Sequence, residues 1–106
     1  MIASANPIGG DDAPKPGEGP SREKRENGGY DVLFCADIDG EVIKASVTGD
    51  MDPGYGSTSK MITESVVCLL KDANDIDGGI YTSASSLGIK LIKRLEDNAG
   101  LTFKVE

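Results

Sequence analysis

The sequence predicts an α+β domain: a small three-stranded, mostly antiparallel sheet with two helices on one face, preceded by a flexible arm. Three observations carry that prediction. Two β-type runs are joined by a tight Asp-Gly turn, two longer stretches repeat apolar residues at helical spacing, and the last residues alternate apolar and polar. The resulting order is strand, strand, helix, helix, strand.

Residues 1–29 are too polar and too rich in Gly and Pro to join a core, so they are expected to form the arm, leaving residues 30–106 as the folding domain. Within the arm, the run from Pro14 to Ser21 holds three prolines and two glycines, a composition suited to a loop that packs on a larger body. Tyr30 to Ala36 and Glu41 to Thr48 read as strands, with Asp39-Gly40 favouring a hairpin turn. In the second strand Val42, Lys44, Ser46 and Thr48 share one face and Ile43, Ala45 and Val47 the other, which predicts one wet and one buried face. The first strand is apolar on both faces and is therefore expected to lie more centrally.

Ile62, Val66, Leu69 and Leu70 predict a helix from Thr58 to Lys71, with Ser57 or Thr58 as its N-cap. A second helix is expected from about Ala84 to Asn98 on the stripe Leu87, Leu91, Ile92 and Leu95, capped by Thr82 and ended by Gly100. Gly88 lies on or beside that stripe and is expected to allow close packing against a neighbour. Leu101 to Glu106 alternates and forms the last strand.

Composition narrows the functional classes. A formal charge of −7, with no continuous stripe of Lys or Arg, disfavours nucleic acid and anionic membrane surfaces as partners. No stretch approaches the length of a membrane span, and no export signal is recognisable, so a cytoplasmic protein is expected. Cys35 and Cys68 are expected to be reduced and buried, although a bridge between them stays open if the strand packs on the helix. The chain has no histidine and no CxxC spacing, which excludes the usual Cys/His zinc site; no metal is expected. Asp75-Ile76-Asp77-Gly78-Gly79-Ile80 superficially resembles a calcium loop, but Ala73 and Ala84 stand where its first and last ligands belong. A domain of some 77 residues buries only about 60% of its unfolded surface, so a partner or a larger body is expected to support it.

No dinucleotide or phosphate loop motif is present, and no cofactor is expected in this chain. The Gly-rich connection from Asp52 to Thr58 opens a helix. Its amides and hydroxyls suit either a carboxylate or phosphate or, more simply, a tight turn with an ordinary cap. Asp37, Asp39, Asp50 and Asp52 read as turn residues rather than as catalytic pairs.

The run DPGYGSTSKMITESVVCLL (Asp52 to Leu70), followed by GGIYTSASSLGIKLIKRLEDNAGLTFKV (Gly78 to Val105) and preceded by PKPGEGPS (Pro14 to Ser21), resembles the carboxy-terminal end of saccharopine dehydrogenase-like oxidoreductases. That family includes the mycobacterial trans-acting enoyl reductases. One departure is Thr82-Ser83-Ala84, where the family tends to have Thr-Pro-Ala; serine loses proline's rigidity and keeps the cap.

The resemblance implies a substrate-side piece of an NAD(P)-dependent enzyme whose Rossmann domain is absent from this chain, and which is inactive alone. It names no catalytic residue within this segment. It makes Lys15, Ser21, Tyr55, Ser57 and Thr58 candidates for lining a substrate cleft in an intact relative, and it implies the missing Rossmann domain or a full-length subunit as partner, with a homodimer as a further possibility. The competing expectation is a free-standing, non-enzymatic interaction or dimerisation module that uses its exposed sheet.

Overall fold

The computed structural model describes residues 15 and 17–106; the rest of the expected arm lies outside the described residues. The elements run α1 (Arg22–Glu26), β1 (Tyr30–Ile38), β2 (Glu41–Gly49), α2 (Gly56–Lys71), α3 (Ser83–Asn98) and β3 (Leu101–Val105). The expected α+β order is therefore present, with a short helix added inside the segment expected to lack regular structure. That helix forms because Ser21 Oγ accepts the Lys24 N–H at 3.3 Å and Arg22 pairs with Glu26 at 2.7 Å, one helical turn apart.

The sheet is antiparallel throughout, in the order β1-β2-β3. Its hairpin closes through Asp39 and Gly40, both at positive φ (55° and 87°), the pairing of a type I′ turn whose twist matches the flanking strands. Asp37 Oδ1 accepts the Gly40 N–H at 2.9 Å and steadies that turn. The register sets the rows Tyr30–Gly49–Leu101, Val32–Val47–Phe103 and Phe34–Ala45–Val105 on one face. That face carries the helices, since Leu101 is in the core and Val47 and Phe103 pack against it. The other face shows Asp31, Thr48 and Thr102 in one row and Leu33, Ser46 and Lys104 in the next.

The core is small: Cys68, Ala73, Leu87, Leu91, Leu95, Ala99 and Leu101, with Met61 and Ile76 at its margin. Leu87, Leu91 and Leu95 recur every fourth residue, so α3 turns the stripe expected of it inward. Thr82 caps α3 in a capping box with Ser85, and Ala99 and Gly100 (φ 71°) end it. Arg94 ties the two long helices together. Its Nη1 donates to Asp72 at 3.1 Å, and its Nε lies 3.1 Å from Glu64 Oε2 without hydrogen-bond alignment.

Several expectations are corrected. β1 is an edge strand rather than a central one, because β2 takes both neighbours; the two-sided apolar character of β1 is left on the surface. Cys35 is consequently exposed, while Cys68 is fully buried, and both thiols are free. On α2 the expected buried stripe faces outward, with Leu70 71% exposed and Ile62, Val66 and Leu69 beside it. The helix instead turns in Ser57, Met61 and Cys68, a narrower stripe of small or pliant side chains, of which Met61 and Cys68 meet the core that α3 lines. Two apolar faces on one helix are the pattern of an element packed on two sides.

Gly88 also differs from its expected role. A methyl group there would meet nothing within 4 Å, so close packing is not its reason. Its backbone stands at φ 47°, ψ −130°, breaking α3 into a short first segment and a long second one. L side chains rarely adopt that conformation. Gly88→Ala should destabilise the chain by about 1–3 kcal/mol in chemical denaturation. Gly78→Ala, at ordinary φ and in open space, should stay within about 0.5 kcal/mol of the parent.

Candidate substrate-side cleft

Met51-Asp52-Pro53-Gly54-Tyr55 must turn the chain from β2 into α2, and the first amides of that helix need acceptors. Asp52 supplies them. Its Oδ2 accepts the N–H groups of Tyr55 and Gly56, each at 2.8 Å, its Oδ1 accepts that of Gly54 at 3.1 Å, and its carbonyl accepts that of Ser57 at 2.8 Å. The N-cap expected at Ser57 or Thr58 is thus displaced upstream. The helix begins at Gly56, the Tyr55 side chain makes no cap, and a carboxylate four residues before Gly56 does the work. These amides, first that of Gly56, then that of Tyr55, hold the Asp52 carboxyl below the usual aspartate range; the Gly54 amide and the positive charge of Arg25 add to the effect.

The same loop anchors the arm. The Asp52 N–H donates to the Arg25 carbonyl at 3.1 Å, and Gly28 lies so close to the Asp52 backbone that a Cβ would sit 2.7 Å from its Cα. Only glycine permits that approach. Gly19, further back in the arm, lies against the Tyr55 ring. Between α1 and the first turns of α2 this leaves an open cleft of about 580 Å³, lined by Arg22, Arg25, Glu26, Met51, Tyr55, Gly56, Ser59 and Lys60.

The charges of the cleft are largely paired. Arg22 is held by Glu26, and Lys60 lies 3.1 Å from Asp50 and donates weakly to the Ala99 carbonyl at 3.5 Å. Arg25 has no carboxylate within ion-pair distance among the described residues, and its charge is felt at Asp52. Arginine and tyrosine at the wall of such a recess can bind and orient a polar group. The lining holds no histidine and no cysteine, so a nucleophile paired with such a base is not offered.

The structure separates the five residues singled out from the sequence. Tyr55 lines the cleft and is 59% exposed. Ser57 is fully buried, its hydroxyl 2.8 Å from the Tyr30 hydroxyl, where it fastens α2 to β1. Thr58 donates to the Pro53 carbonyl at 2.6 Å, and Ser21 caps α1. Lys15 is exposed, with its backbone in a turn closed by Glu18. Sequence reasoning missed Arg22, Arg25 and Lys60. The first two carried a legible signal, because Ser21 followed by Arg22-Glu23-Lys24-Arg25-Glu26 is a capped run with an i,i+4 ion pair. Asp75, in the calcium-like stretch, is committed to Lys90 at 2.6 Å, a bond that also lowers its pKa.

A dinucleotide fits poorly here. The amides at the α2 entrance, where a pyrophosphate would sit, already bind the Asp52 carboxylate, and among the described residues the sheet has no parallel strand, loop and helix unit of the kind that positions such a cofactor. Among the described residues no helix is long and apolar enough to cross a membrane.

The chain is similar to proteins named "Putative trans-acting enoyl reductase" from two strains of Mycobacterium tuberculosis, with 35% identity over 85 residues in each case. The similarity takes in 77% of this chain and 20% of theirs, so the chain spans about a fifth of the length of the curated relatives it matches. No family model and no solved structure matches it.

Because the folded pKa of Asp52 is depressed, its charge stabilises the fold fully above the unfolded value of about 3.9, and that stabilisation is lost as pH falls through the folded value. Asp52→Asn should therefore lower the thermal midpoint at pH 7, and the gap to the parent should close below about pH 4, as followed by circular dichroism across a pH series.

Proposed function

We propose that this chain is the carboxy-terminal, substrate-side part of a saccharopine dehydrogenase-like, NAD(P)-dependent oxidoreductase of the enoyl reductase type, and that it works packed on a nucleotide-binding body. The observation that carries this reading is the apolar surface left open on α2: Ile62, Val66, Leu69 and Leu70 follow helical spacing yet face away from the core. A stripe so regular belongs to an interface with something larger. Similarity to proteins about five times the matched length supports the same conclusion.

On this reading the division of labour is simple. The body holds the nucleotide and presents the hydride. This chain supplies the cleft between α1 and α2, where Tyr55 and Arg25 orient the polar end of the substrate. Ser57, Thr58 and Ser21 shape the cleft through the bonds that fix α1 and α2, and Lys15 is kept as a candidate contact from the arm.

Two measurements test this. Titration of the isolated chain with NADH or NADPH should show no saturable binding, and micromolar binding would contradict the assignment of the nucleotide site to another body. Leu70→Asp should change the stability of the isolated chain by no more than about 0.5 kcal/mol, as for a surface position. A loss of about 2–5 kcal/mol, the cost at a core leucine, would mean that α2 buries this stripe within the chain itself.

A further inference from the structure

Arg25 is a cation out of place. The chain carries 18 acidic residues against 11 basic ones, and two of its three arginines are spent on carboxylates, Arg22 on Glu26 and Arg94 on Asp72 and Glu64. Arg25 is half-buried, yet among the described residues it has no carboxylate within ion-pair distance. The other cations without one there are exposed lysines, which water solvates. A partly desolvated guanidinium needs an acceptor, and a protein with acids to spare has not supplied it. The cleft between α1 and α2 sets Arg22 and Lys60 in the same lining, against a single acid, Glu26, which Arg22 already holds. The nearby Asp52 carboxylate is committed to the amides of Gly54, Tyr55 and Gly56. Met51 and the Tyr55 ring give the recess an apolar wall, and its volume of about 580 Å³ suits a small molecule.

We infer that this cleft binds an organic oxyanion, a carboxylate or a phosphate, with the charged head on the Arg25 fork and the apolar part laid on Met51 and Tyr55. The planar guanidinium matches the paired oxygens of either head, and Lys60 adds positive charge from the α2 wall. The inference rests on the reading of the cleft as the substrate side, and it fixes the class of the substrate's polar end. It also gives α1 a second tie. That helix is five residues long with none of them buried, and the Asp52 N–H to Arg25 carbonyl bond holds its last turn to the α2 entrance. So short a helix has little stability of its own. An oxyanion spanning Arg25 and Lys60 therefore clamps α1 against α2.

Titration of the full chain with butyrate, butyl phosphate and butylamine at fixed ionic strength, followed by NMR, tests it. Butyrate or butyl phosphate should move the Arg25, Tyr55 and Lys60 amides saturably in the millimolar range, the tighter of the two naming the head, and butylamine should not. Arg25→Gln should weaken that binding by about tenfold or more, Arg25→Lys by less, since it keeps the charge and loses the fork, and Lys93→Gln, outside the cleft, should leave it unchanged. The Arg25 carbonyl, not its side chain, seats the arm, so these variants keep that contact. Trypsin should cut after Lys24 and Arg25 more slowly when the tighter oxyanion is bound. Failure of both oxyanions to saturate, equal response to butylamine, or binding indifferent to Arg25→Gln overturns the inference. A chain that ignores both oxyanions and also fails to bind NADH overturns it while leaving the assignment of the nucleotide to another body intact.

Discussion

The carboxylate of Asp52 is the contact on which the rest of this fold turns. It gathers the amides of Gly54, Tyr55 and Gly56, and so fixes where α2 begins and which way the helix leaves the sheet. Its backbone reaches in the other direction, to the Arg25 carbonyl and to Gly28, so the same residue seats the arm. A charge shared among several backbone donors suits such a junction because each bond is charge-assisted and the geometry is rigid. The cleft between α1 and α2 exists because both of its walls hang from this one turn.

Around that junction the chain is built economically, and its surface is consequently unfinished. Among the described residues seven form the buried core, and Cys68 and the three inward leucines of α3 contribute most of it. The helices cover one end of the sheet, at Leu101, Val47 and Phe103, and leave Phe34, Ile43 and Val105 open on the same face. Arg94, bridging Asp72 and Glu64, holds α3 to α2 where apolar contact is thin. A core of this size supplies only modest stability by itself.

Much of the fold was legible in the sequence because its signals are local. Asp39-Gly40 demands a hairpin, Thr82 with Ser85 marks a helix start, and Leu87, Leu91 and Leu95 repeat on one face. What the sequence concealed depends on partners distant in the chain. Periodicity shows that Ile62, Val66, Leu69 and Leu70 form a face but not that the chain's own core leaves it outside, and the inward stripe of α2 is masked by the small polar Ser57. The centrality of β1 was misread for the same reason: two apolar faces announce burial without naming its source. Of the site, Tyr55 was found through its Gly-rich setting. Arg22, Arg25 and Lys60 were missed because they converge only once Asp52 has folded the arm back.

The entrance of α2 is thus filled by the protein's own carboxylate. An NMR titration that follows the Asp52 side-chain carboxyl carbon together with the amides of Gly54, Tyr55 and Gly56 tests it directly. One shared transition below the ordinary aspartate range is expected, with all three amides moving as the carboxylate is protonated. An Asp52 that titrates at the ordinary value, or amides that stay still while it does, would contradict it.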